Sequence, residues 1–479
     1  MRIALVNPVA RRLQGYHTIG SKIPHLGLQV LAKLVPPEHQ VDIIDEIFGL
    51  EATGEFLRPD RYDLVGITSF TSTTTRAYEV AAMCRERGLT TIMGGPHAWA
   101  CPDEAARYCD SVALGECDEI WPDIIADAAA GRLAKRYEGG LPELSQGIGQ
   151  AAQDLQPING TYDVAAIQTS RGCPVNCDYC GVTRFNGSKI RRRPMDEIVA
   201  EWNTTTKPFI FVVDDNFFGT NTQHAEWSKT LCRKLISDAK RRLWFSQTTI
   251  NMGDDPEGMR LAYKAGCRGM LVGFESFNPE TLEGYGKRLN AKRLDDYQKL
   301  VDGYHRAGIS LFGAFVIGGT ADDVNTVAET ALASVRLGVD TIQITNLTPL
   351  PGTRLYERFL DEGRIIATDY PEDWERYSFT ETVYTPERMT RQQLDETMFE
   401  LRHAAATQSW VWKRTLRTLL RTRSLTSALF IHGMNKGWKR MAKVEAPRDA
   451  ERYAHLLNGD GPSAARQTKI RRAFTFLNR

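Results

Sequence analysis

The chain has 479 residues, of which 42% are hydrophobic and 25% are charged, and its formal net charge is +1. This length predicts two or three domains, the composition is that of an ordinary globular protein, and the balanced charge singles out no partner. Nine cysteines without a secretory signal predict a reducing, cytoplasmic setting instead of a disulfide framework. No segment has the roughly 20 apolar residues needed to cross a bilayer.

Short buried strands alternate with helical stretches from Arg2 to about Gly131. Alternation of this kind predicts an α/β domain with a doubly wound parallel sheet, which we place at residues 1–138. The strands are predicted at Ile3–Val6, Val41–Asp45, Leu64–Ser69, Thr91–Met93 and Val112–Leu114.

Small and polar residues follow these predicted strands. In a doubly wound sheet the ligand binds at the carboxyl ends of the strands, and glycine there lets it approach the backbone closely. For His97, a loop histidine that already has its own hydrogen bonds is the alternative to a ligand contact. The candidate ligand-binding residues of this domain are Ser69, Thr71, Gly94, Gly95, His97, Gly115 and Glu116.

A stretch of low periodicity at 139–163 is predicted to be a linker. After it, six further strands alternate with charged helical stretches, which predicts an open, partial (β/α)6 barrel at 164–384 with its site at the carboxyl ends of the strands. The strands are predicted at Ala165–Thr169, Phe209–Val213, Trp244–Ile250, Met270–Phe274, Leu311–Ile317 and Thr341–Thr345.

Residues 385–479 are predicted to form a basic, helical C-terminal region. From Leu401 onward it has seventeen Lys or Arg residues and four Asp or Glu residues, interleaved with tryptophan and leucine. This mixture fits helices lying on a membrane surface, with tryptophan at headgroup depth. Contacts to RNA phosphates and a solvated face on a helical cap over the barrel are the alternatives.

Three cysteines, Cys173, Cys177 and Cys180, lie in the predicted loop after the first barrel strand. Their C-x3-C-x2-C spacing supplies three thiolates, whereas a structural zinc site wants four ligands, and the next cysteine is as far away as Cys232. A [4Fe–4S] cluster held by three cysteines keeps one iron open for a substrate or cofactor. The spacing therefore favours such a cluster over zinc or over fortuitous cysteines.

This run, with Tyr179 just before its last cysteine, resembles the motif of the radical S-adenosylmethionine (SAM) enzymes. Further similarities follow in that family's order, at Asp214-Asp-Asn216, Gly273-Phe-Glu-Ser276 and Gly313–Gly319. The resemblance implies that the cluster on the three cysteines cleaves bound SAM to a 5′-deoxyadenosyl radical. It also implies SAM contacts by Tyr179, Asp215, Asn216, Gln247, Glu275 and Ile317.

The first domain resembles the cobalamin-binding domain that precedes the radical core in one branch of the same family. The similarity lies in the turns Gly94-Gly-Pro-His97 and Gly115-Glu-Cys-Asp-Glu119. The Asp-x-His-x-x-Gly signature, whose histidine ligates cobalt, is missing, and Ile47 stands where the histidine would be. The resemblance implies cobalamin held without a protein ligand, with loss of the cofactor as the alternative.

The function that this resemblance implies is cobalamin-dependent C-methylation of an unactivated carbon in a biosynthetic pathway. The alternatives are a non-methylating or cobalamin-independent radical SAM reaction, an RNA methylthiotransferase and a non-catalytic corrinoid or metal sensor. The expected partners are a small-molecule substrate, with a lipid or a tetrapyrrole as options, and a reductant such as flavodoxin or ferredoxin. We expect a cytoplasmic protein, with peripheral membrane contact through the C-terminal region as an option and nucleic acid not expected.

The remaining notable residues carry structural predictions. Cys232 and Cys267 are predicted to be core thiols, and Arg191–Arg193 a solvated loop. The other four cysteines are Cys84, Cys101, Cys109 and Cys117. They do not match the three-cysteine pattern that a second cluster would need.

Overall fold

The computed structural model describes residues 1–10, 22–405 and 408–453. Its first sheet has six parallel strands in the order β2-β1-β3-β4-β5-β6, which confirms the predicted doubly wound sheet. The last strand was not predicted, because its three residues include two charged side chains. The strands are β1 Arg2–Asn7, β2 Gln40–Asp45, β3 Leu64–Thr68, β4 Thr90–Gly94, β5 Ser111–Leu114 and β6 Arg136–Glu138.

Helices cover both faces of this sheet. Strand β1 shows why, since Ile3 and Leu5 belong to one hydrophobic cluster and Ala4 and Val6 to another on the opposite face. The helices are α1 Leu26–Lys33, α2 Glu51–Phe56, α3 Thr74–Glu86, α4 Pro96–Ala100, α5 Pro102–Ala105 and α6 Trp121–Ala129.

A second sheet of six parallel strands, in the order β14-β13-β12-β11-β10-β7, confirms the partial barrel. A short antiparallel pair, β8 with β9, lies beside the cysteine loop and was not predicted. The strands are β7 Ala165–Ile167, β8 Ser170–Arg171, β9 Arg191–Arg192, β10 Phe209–Val212, β11 Leu243–Thr248, β12 Cys267–Glu275, β13 Ser310–Ile317 and β14 Thr341–Asn346.

The helices of this domain pack on one face of the sheet, around a core that includes Trp202 and Trp244. Cys232 and Cys267 are buried in the same core, as predicted. The helices are α7 Val182–Phe185, α8 Met195–Thr204, α9 Thr222–Asp238, α10 Pro256–Lys264, α11 Pro279–Gly284, α12 Arg288–Ala291, α13 Tyr297–Arg306, α14 Val324–Leu337 and α15 Arg354–Asp361.

Three C-terminal helices, α16 Arg391–Ala405, α17 Gln408–Thr422 and α18 Leu425–Arg452, confirm the predicted helical region as far as it is described. Residues 454–479 lie outside the described residues. Helix α18 runs across the end of the barrel where the strands begin. Ser427 Oγ donates to the Gly308 carbonyl at 2.7 Å, and Asn435 Nδ2 donates to the Asp340 carbonyl at 3.1 Å. Among the described residues, no helix has the length and apolarity needed to span a membrane.

The predicted linker is tied to both domains. Tyr162 donates its hydroxyl to Asp45 Oδ2 at 2.8 Å in the first domain, and Gln153 Nε2 donates to the Ala166 carbonyl at 2.7 Å in the second. Division of the chain into units at 1–138, 139–163, 164–384 and 385–479 stays a prediction.

Candidate active site

The three cysteines lie on the loop that leaves β8 at the carboxyl end of the barrel. This loop begins with Gly172, which has a φ of +96°. A side chain would not fit here, because a Cβ atom would lie within 2.3 Å of the Lys189 carbonyl oxygen. The Cys173 amide donates to the Gly187 carbonyl at 3.1 Å, and the Cys180 amide donates to the Cys177 carbonyl at 3.2 Å. The loop therefore has a defined backbone before any metal is bound.

The thiols of this loop are screened from water and interact with one another. The pKa of Cys180 is raised to about 12, chiefly by burial and also by the neighbouring Cys177 and Cys173, while the Val182 backbone and the Lys287 ammonium act to lower it. Among the described residues, no three His, Cys, Asp or Glu side chains are close enough to hold one metal ion. A cluster with a separate iron for each thiolate suits such a spaced set of three ligands, and the nearby cation would offset part of its negative charge.

A buried ion pair lies beside the cysteine loop. Glu275 ends strand β12 after an irregularity in its register and has a φ of +68°, which is unusual for a residue other than glycine. Its Oε1 lies 2.8 Å from Lys287 Nζ, and both side chains are less than a tenth exposed. Glu275 is also close enough to Tyr179 to act on its hydroxyl, whose pKa is raised well above the usual value by burial first and by the charge of Glu275 second. The sequence analysis included Glu275 and Tyr179 but missed Lys287, because a lysine between short helices is usually solvated.

Asp215 and Asn216 support the loops around the cysteines. Asp215 Oδ2 accepts hydrogen bonds from the Gly172 amide at 2.8 Å and from Asn186 Nδ2 at 3.1 Å. Asn216 Oδ1 accepts from the Gly219 amide at 3.2 Å. The preceding residue, Asp214, is buried and holds β7 and β8 through Thr169 and Ser170, and its burial raises its pKa to about 6. The structure thus brings the predicted pair to the cysteine loop, where both serve to fix the backbone.

Gln247 and Ile317 lie on the same barrel at different depths. Gln247 is partly exposed near the end of β11. Ile317 is the last residue of β13, is buried, and packs in a cluster with Tyr285 and Tyr384. After it, the amides of Gly318 and Gly319 both donate to Asp322 Oδ2 at 3.0 Å, which shapes the turn at this edge of the site.

The glycines predicted to admit a ligand to the first domain are closely packed against backbone. A Cβ atom on Gly95 would come within 2.8 Å of the Ser69 carbonyl oxygen, one on Gly115 within 2.9 Å of the Gly139 carbonyl oxygen, and one on Gly94 within 3.3 Å of the Ala113 carbonyl oxygen. The hydroxyl of Ser69 is buried, 3.3 Å from that of Thr74. The close approach of one turn to the next is a packing reason for these glycines. In the turn that follows Ser69, Phe70 is the side chain that points to solvent, at 44% exposure.

His97 is fully buried, which fits the alternative of a satisfied loop histidine. Its Nδ1 lies 3.4 Å from Thr71 Oγ1, and its Nε2 lies 3.4 Å from Glu104 Oε1. The ring packs edge-on against Trp374, at 5.0 Å between ring centroids, and Trp374 Nε1 donates to Glu104 Oε1 at 3.0 Å. The histidine therefore joins the first domain to the segment after the barrel, and its ring has no free nitrogen to offer a cofactor.

Glu116 is likewise engaged across the domain interface. It accepts hydrogen bonds from Arg171 Nη1 at 2.7 Å and from Arg191 Nη1 at 2.9 Å, and Asp118 accepts two from Arg171 at 2.7 and 2.8 Å. We call these four side chains the interdomain ion cluster. All are buried, and the carboxylate of Glu116 holds two arginines of the second domain.

The prediction of a solvated loop at Arg191–Arg193 is wrong. Arg191 belongs to the interdomain ion cluster, and Arg193 Nη2 lies 2.7 Å from Glu201 Oε2 with both side chains buried. Charged residues are buried here because each guanidinium meets a carboxylate, a pairing that single-sequence patterns do not reveal.

The carboxyl ends of the two sheets face each other. Trp99 of α4 packs edge-on against Phe185 of the cysteine-loop helix α7, at 5.6 Å between centroids, and the interdomain ion cluster lies on the same side. Cobalamin lying between the domains would meet the exposed Phe70 and the turn of Ile47, whose amide donates to Asp45 Oδ1 at 3.0 Å. These residues offer hydrocarbon and backbone to the corrin, which fits a cofactor held without a protein ligand to cobalt.

The other four cysteines are dispersed over the first domain. Cys84 and Cys109 are buried, and Cys101 and Cys117 are partly exposed. Burial raises the pKa of each, to about 11 for Cys109 and about 12 for the others. Cys84 lies in α3, Cys101 between α4 and α5, Cys109 before β5 and Cys117 before α6, so the four do not share one loop as Cys173, Cys177 and Cys180 do.

Comparisons with known proteins agree with this site. Sequence models of the radical SAM superfamily and of the B12 binding domain match residues 167–331 and 15–125. The chain is 29% identical over 425 residues to the bacteriochlorophyllide d C-8(2)-methyltransferase of Chlorobaculum tepidum, which covers 84% of this chain and 89% of that protein. It is 23% identical over 366 residues to the hopanoid C-2 methylase of Rhodopseudomonas palustris, covering 73% and 67% of the two chains.

Among solved structures, the fold matches the radical SAM methyltransferase TsrM from Kitasatospora setae, determined with cobalamin and a [4Fe–4S] cluster bound. The TM-score is 0.67 at 16% identity, and the match covers 92% of this chain and 99% of that one. At this identity the likeness bears on the fold alone.

Proposed function

We propose that this chain, which is a radical SAM enzyme with an N-terminal cobalamin-binding domain, methylates an unactivated carbon atom of a small-molecule substrate. The observation that carries the proposal is the cysteine loop and its Glu275–Lys287 pair at the carboxyl end of the barrel, facing the carboxyl end of the first sheet. When bound, the reduced cluster supplies the electron that yields a 5′-deoxyadenosyl radical from SAM, and cobalamin supplies the methyl group.

The residues of the barrel would bind and orient SAM. Cys173, Cys177 and Cys180 hold the cluster, and Lys287, the cation beside them, pairs with the SAM carboxylate. Glu275 accepts hydrogen bonds from the ribose hydroxyls, with Tyr179 fixing its carboxylate. Four other side chains complete the proposed SAM site: Asp215, Asn216 and Gln247 as polar contacts or supports, and Ile317 as an apolar surface for adenine.

The first domain would hold cobalamin chiefly through backbone and apolar side chains. The turns that carry Ser69, Thr71, Gly94, Gly95 and Gly115 would shape the binding surface, and residue 47, an isoleucine, would not ligate cobalt. His97 and Glu116 support these turns from behind through Trp374 and the arginines. A one-electron donor such as flavodoxin or ferredoxin completes the system, because reduction of the cluster takes an electron from outside the enzyme.

The proposal is tested by reconstituting the enzyme without oxygen with iron, sulfide, hydroxocobalamin and SAM. We expect about one cluster and one cobalamin per chain, and both S-adenosylhomocysteine and 5′-deoxyadenosine when a strong reductant is added. Cys177→Ala should lose the cluster and 5′-deoxyadenosine together, because two thiolates do not hold it. The control is Cys232→Ala, which removes a core thiol away from the loop and should keep both. An intact cluster without bound cobalamin would contradict methyl transfer and favour a cobalamin-independent radical reaction.

The substrate we propose is a large, mainly apolar ring system, either a tetrapyrrole or a polycyclic lipid. The relatives support this choice, since one is named for bacteriochlorophyllide d and another for a hopanoid. An RNA substrate for methylthiolation is not favoured, because the cysteines that a second cluster would need lie on separate elements of the first domain and not in one loop. Nor does a sensor without catalysis account for a buried Glu275–Lys287 pair beside the cysteines.

Peripheral contact with a membrane is supported by an apolar stripe on the C-terminal helices. Trp412, Leu416 and Leu420 follow one another at four-residue intervals on α17 and are 59%, 58% and 69% exposed. The start of α18 adds Leu425 and Leu429, at 62% and 58%. Nine Lys or Arg residues and no Asp or Glu lie between Gln408 and Val444. Exposed leucines beside an unbroken positive charge suit the interface of an anionic bilayer better than the phosphates and bases of RNA.

We therefore expect the protein to sediment with vesicles of phosphatidylcholine and phosphatidylglycerol, and less with phosphatidylcholine alone. Leu416→Gln/Leu420→Gln should weaken this binding at least about tenfold, because two side chains no longer enter the acyl boundary. Ile236→Gln, at a 45% exposed position on α9, is the matched control and should bind like the parent. Membrane contact would be contradicted if vesicle binding depended neither on lipid charge nor on the double substitution. Binding to a single-stranded RNA instead would favour the RNA alternative.

A further inference from the structure

The inner face of the partial barrel differs from its outer face. Side chains alternate along a strand, so Trp244, which belongs to the core under the helices, places Phe245 on the inner face of β11. By the same alternation Leu271 faces inward between Met270 and Val272, which are fully buried in that core. The inward-facing residues of the central strands are not members of the helix-side core, and they surround the space inside the barrel.

Four aromatic rings close this space at the end where the strands begin. Phe245 lies 6.2 Å from Phe312 across the inner face, and the two rings are buried. Helix α18 brings Phe430 to 5.3 Å from Phe245 and Trp438 to 6.2 Å from Phe312, measured between ring centroids. We call these four residues the aromatic floor.

The floor depends on a glycine in β12. A Cβ atom at Gly269 would come within 2.5 Å of Phe430 Cε1, so only glycine allows the ring of α18 to enter between the strands. Phe209 stacks on the other face of Phe430 at 5.3 Å, with an interplanar angle of 14°. Helix α18 therefore packs against the barrel and also inserts the ring of Phe430 between its strands.

Above the floor the inner face remains partly exposed. Leu271 and Ala314 lie in the middle of central strands and yet are partly exposed, whereas their outward neighbours Met270 and Leu311 are fully buried. The inner positions of the described strands β10 to β14 carry no charge before Glu275 at the end of β12. Their partly exposed polar members are Gln247, Gln343 and Thr345. A space with these walls lies between the aromatic floor and the proposed SAM site.

We propose that the aromatic floor is the end of the substrate site and that it takes a neutral, flat, ring-bearing portion of the substrate. This inference rests on the proposed function and makes its substrate class more specific. Phe245 and Phe312 offer aromatic surface for stacking, and the amides of Gln247 and Gln343 offer hydrogen bonds to polar groups at the edge of the rings. Helix α18 sets how deeply the substrate enters, since it fixes the position of the floor.

The test measures access to the inner face and needs no substrate. Ala314→Cys places a thiol on the wall, and the cluster-loaded holoenzyme is labelled with N-ethylmaleimide without oxygen and analysed by peptide mass spectrometry. We expect slow but complete labelling of the introduced thiol, and at least about fivefold slower labelling with 2-naphthol present, because the neutral ring system fills the site. The charged analogue 2-naphthalenesulfonate should protect much less, since the inner face has no cation to pair with it.

Two variants separate this proposal from general hydrophobic binding. Leu289→Cys, on the exposed surface of α12, should be labelled at the same rate with and without 2-naphthol. Ala314→Cys/Phe245→Leu keeps an apolar floor without the ring and should need about tenfold more 2-naphthol for the same protection. The proposal is overturned by no labelling of the introduced thiol, by equal protection from both naphthalenes, or by protection that Phe245→Leu leaves unchanged. None of these outcomes bears on cobalamin binding or SAM cleavage, which are measured separately.

Discussion

Arg171→Met is expected to destabilise the folded protein by about 3–5 kcal/mol, the usual cost of leaving a buried charge without its partner. The arginine lies two residues before Cys173 and donates to Glu116 and Asp118 of the first domain at 2.7 to 2.8 Å. Methionine fills much of the same volume but cannot donate a hydrogen bond, so Asp118 would stay buried and uncompensated. Urea unfolding followed by fluorescence and by cluster absorbance measures the loss.

A matched control separates this effect from the general loss of an ion pair. Arg58→Met removes the partner of Asp60, where the two side chains are 61% and 64% exposed, and should cost no more than about 1 kcal/mol. Adding Asp118→Asn to Arg171→Met should restore a large part of the stability, because Glu116 keeps Arg191 as its partner and no buried charge then stands alone. Equal, small effects of Arg171→Met and Arg58→Met would show that the interdomain ion cluster does not hold the domains together.

Lys287→Met is expected to reduce 5′-deoxyadenosine formation by at least about a hundredfold while leaving the cluster bound. The lysine lies 2.8 Å from Glu275 and acts on the pKa of Cys177 and Cys180, so it stands between the proposed SAM site and the cluster. Removing it takes away one charge-assisted contact to SAM, about 1.5–3 kcal/mol, and leaves Glu275 buried without a cation. Iron content, the electron paramagnetic resonance spectrum with and without SAM, and product formation are the three measurements.

The second charge of the pair provides the control for Lys287→Met. In Lys287→Met/Glu275→Gln neither charge is buried alone, so stability should return towards that of the parent while SAM cleavage stays low. Lys234→Met, on the surface of α9, should behave like the parent protein in all three measurements. If Lys287→Met loses iron as readily as Cys177→Ala does, the lysine supports the cluster loop and its proposed role in SAM binding is wrong.

Most strands were predictable because short apolar runs alternate with charged helical stretches along the chain. Eleven of the described strands were predicted, since short apolar runs separated by charged helical stretches fit parallel strands covered by helices. The exceptions are Arg136–Glu138, Ser170–Arg171 and Arg191–Arg192, which are short and polar and become strands only by pairing with a neighbour. Their conformation depends on tertiary contacts that the local sequence does not contain.

The site was predictable where the chemistry is local and not where it depends on the other domain. The cysteine spacing and Glu275 were recognisable from adjacent residues. Arg171 and Arg191 were not, because their burial depends on Glu116 of the first domain. Lys287 was missed for another reason, since nothing in the local sequence shows that it turns inward to Glu275. His97 and Glu116 were predicted to meet a cofactor, and their partners Trp374 and Arg171 are equally distant in sequence. Phe430 lies in a segment whose composition fitted a membrane surface, an RNA contact or a solvated helical cap. Its ring can enter the barrel because Gly269 has no side chain to block it.

The interdomain ion cluster also bears on how this protein can be cut, recombined or exchanged with relatives. A break in the linker at 139–163 would place Glu116 and Asp118 in one fragment and Arg171 and Arg191 in the other. Each fragment would then expose a patch of one sign of charge, negative on the first domain and positive beside the cysteines. A barrel expressed alone, or joined to a foreign first domain without the two acids, would therefore have Arg171 and Arg191 without partners. The two guanidinium groups would repel each other beside the cysteine loop. The buried charges of the two domains are therefore balanced only when both domains are present.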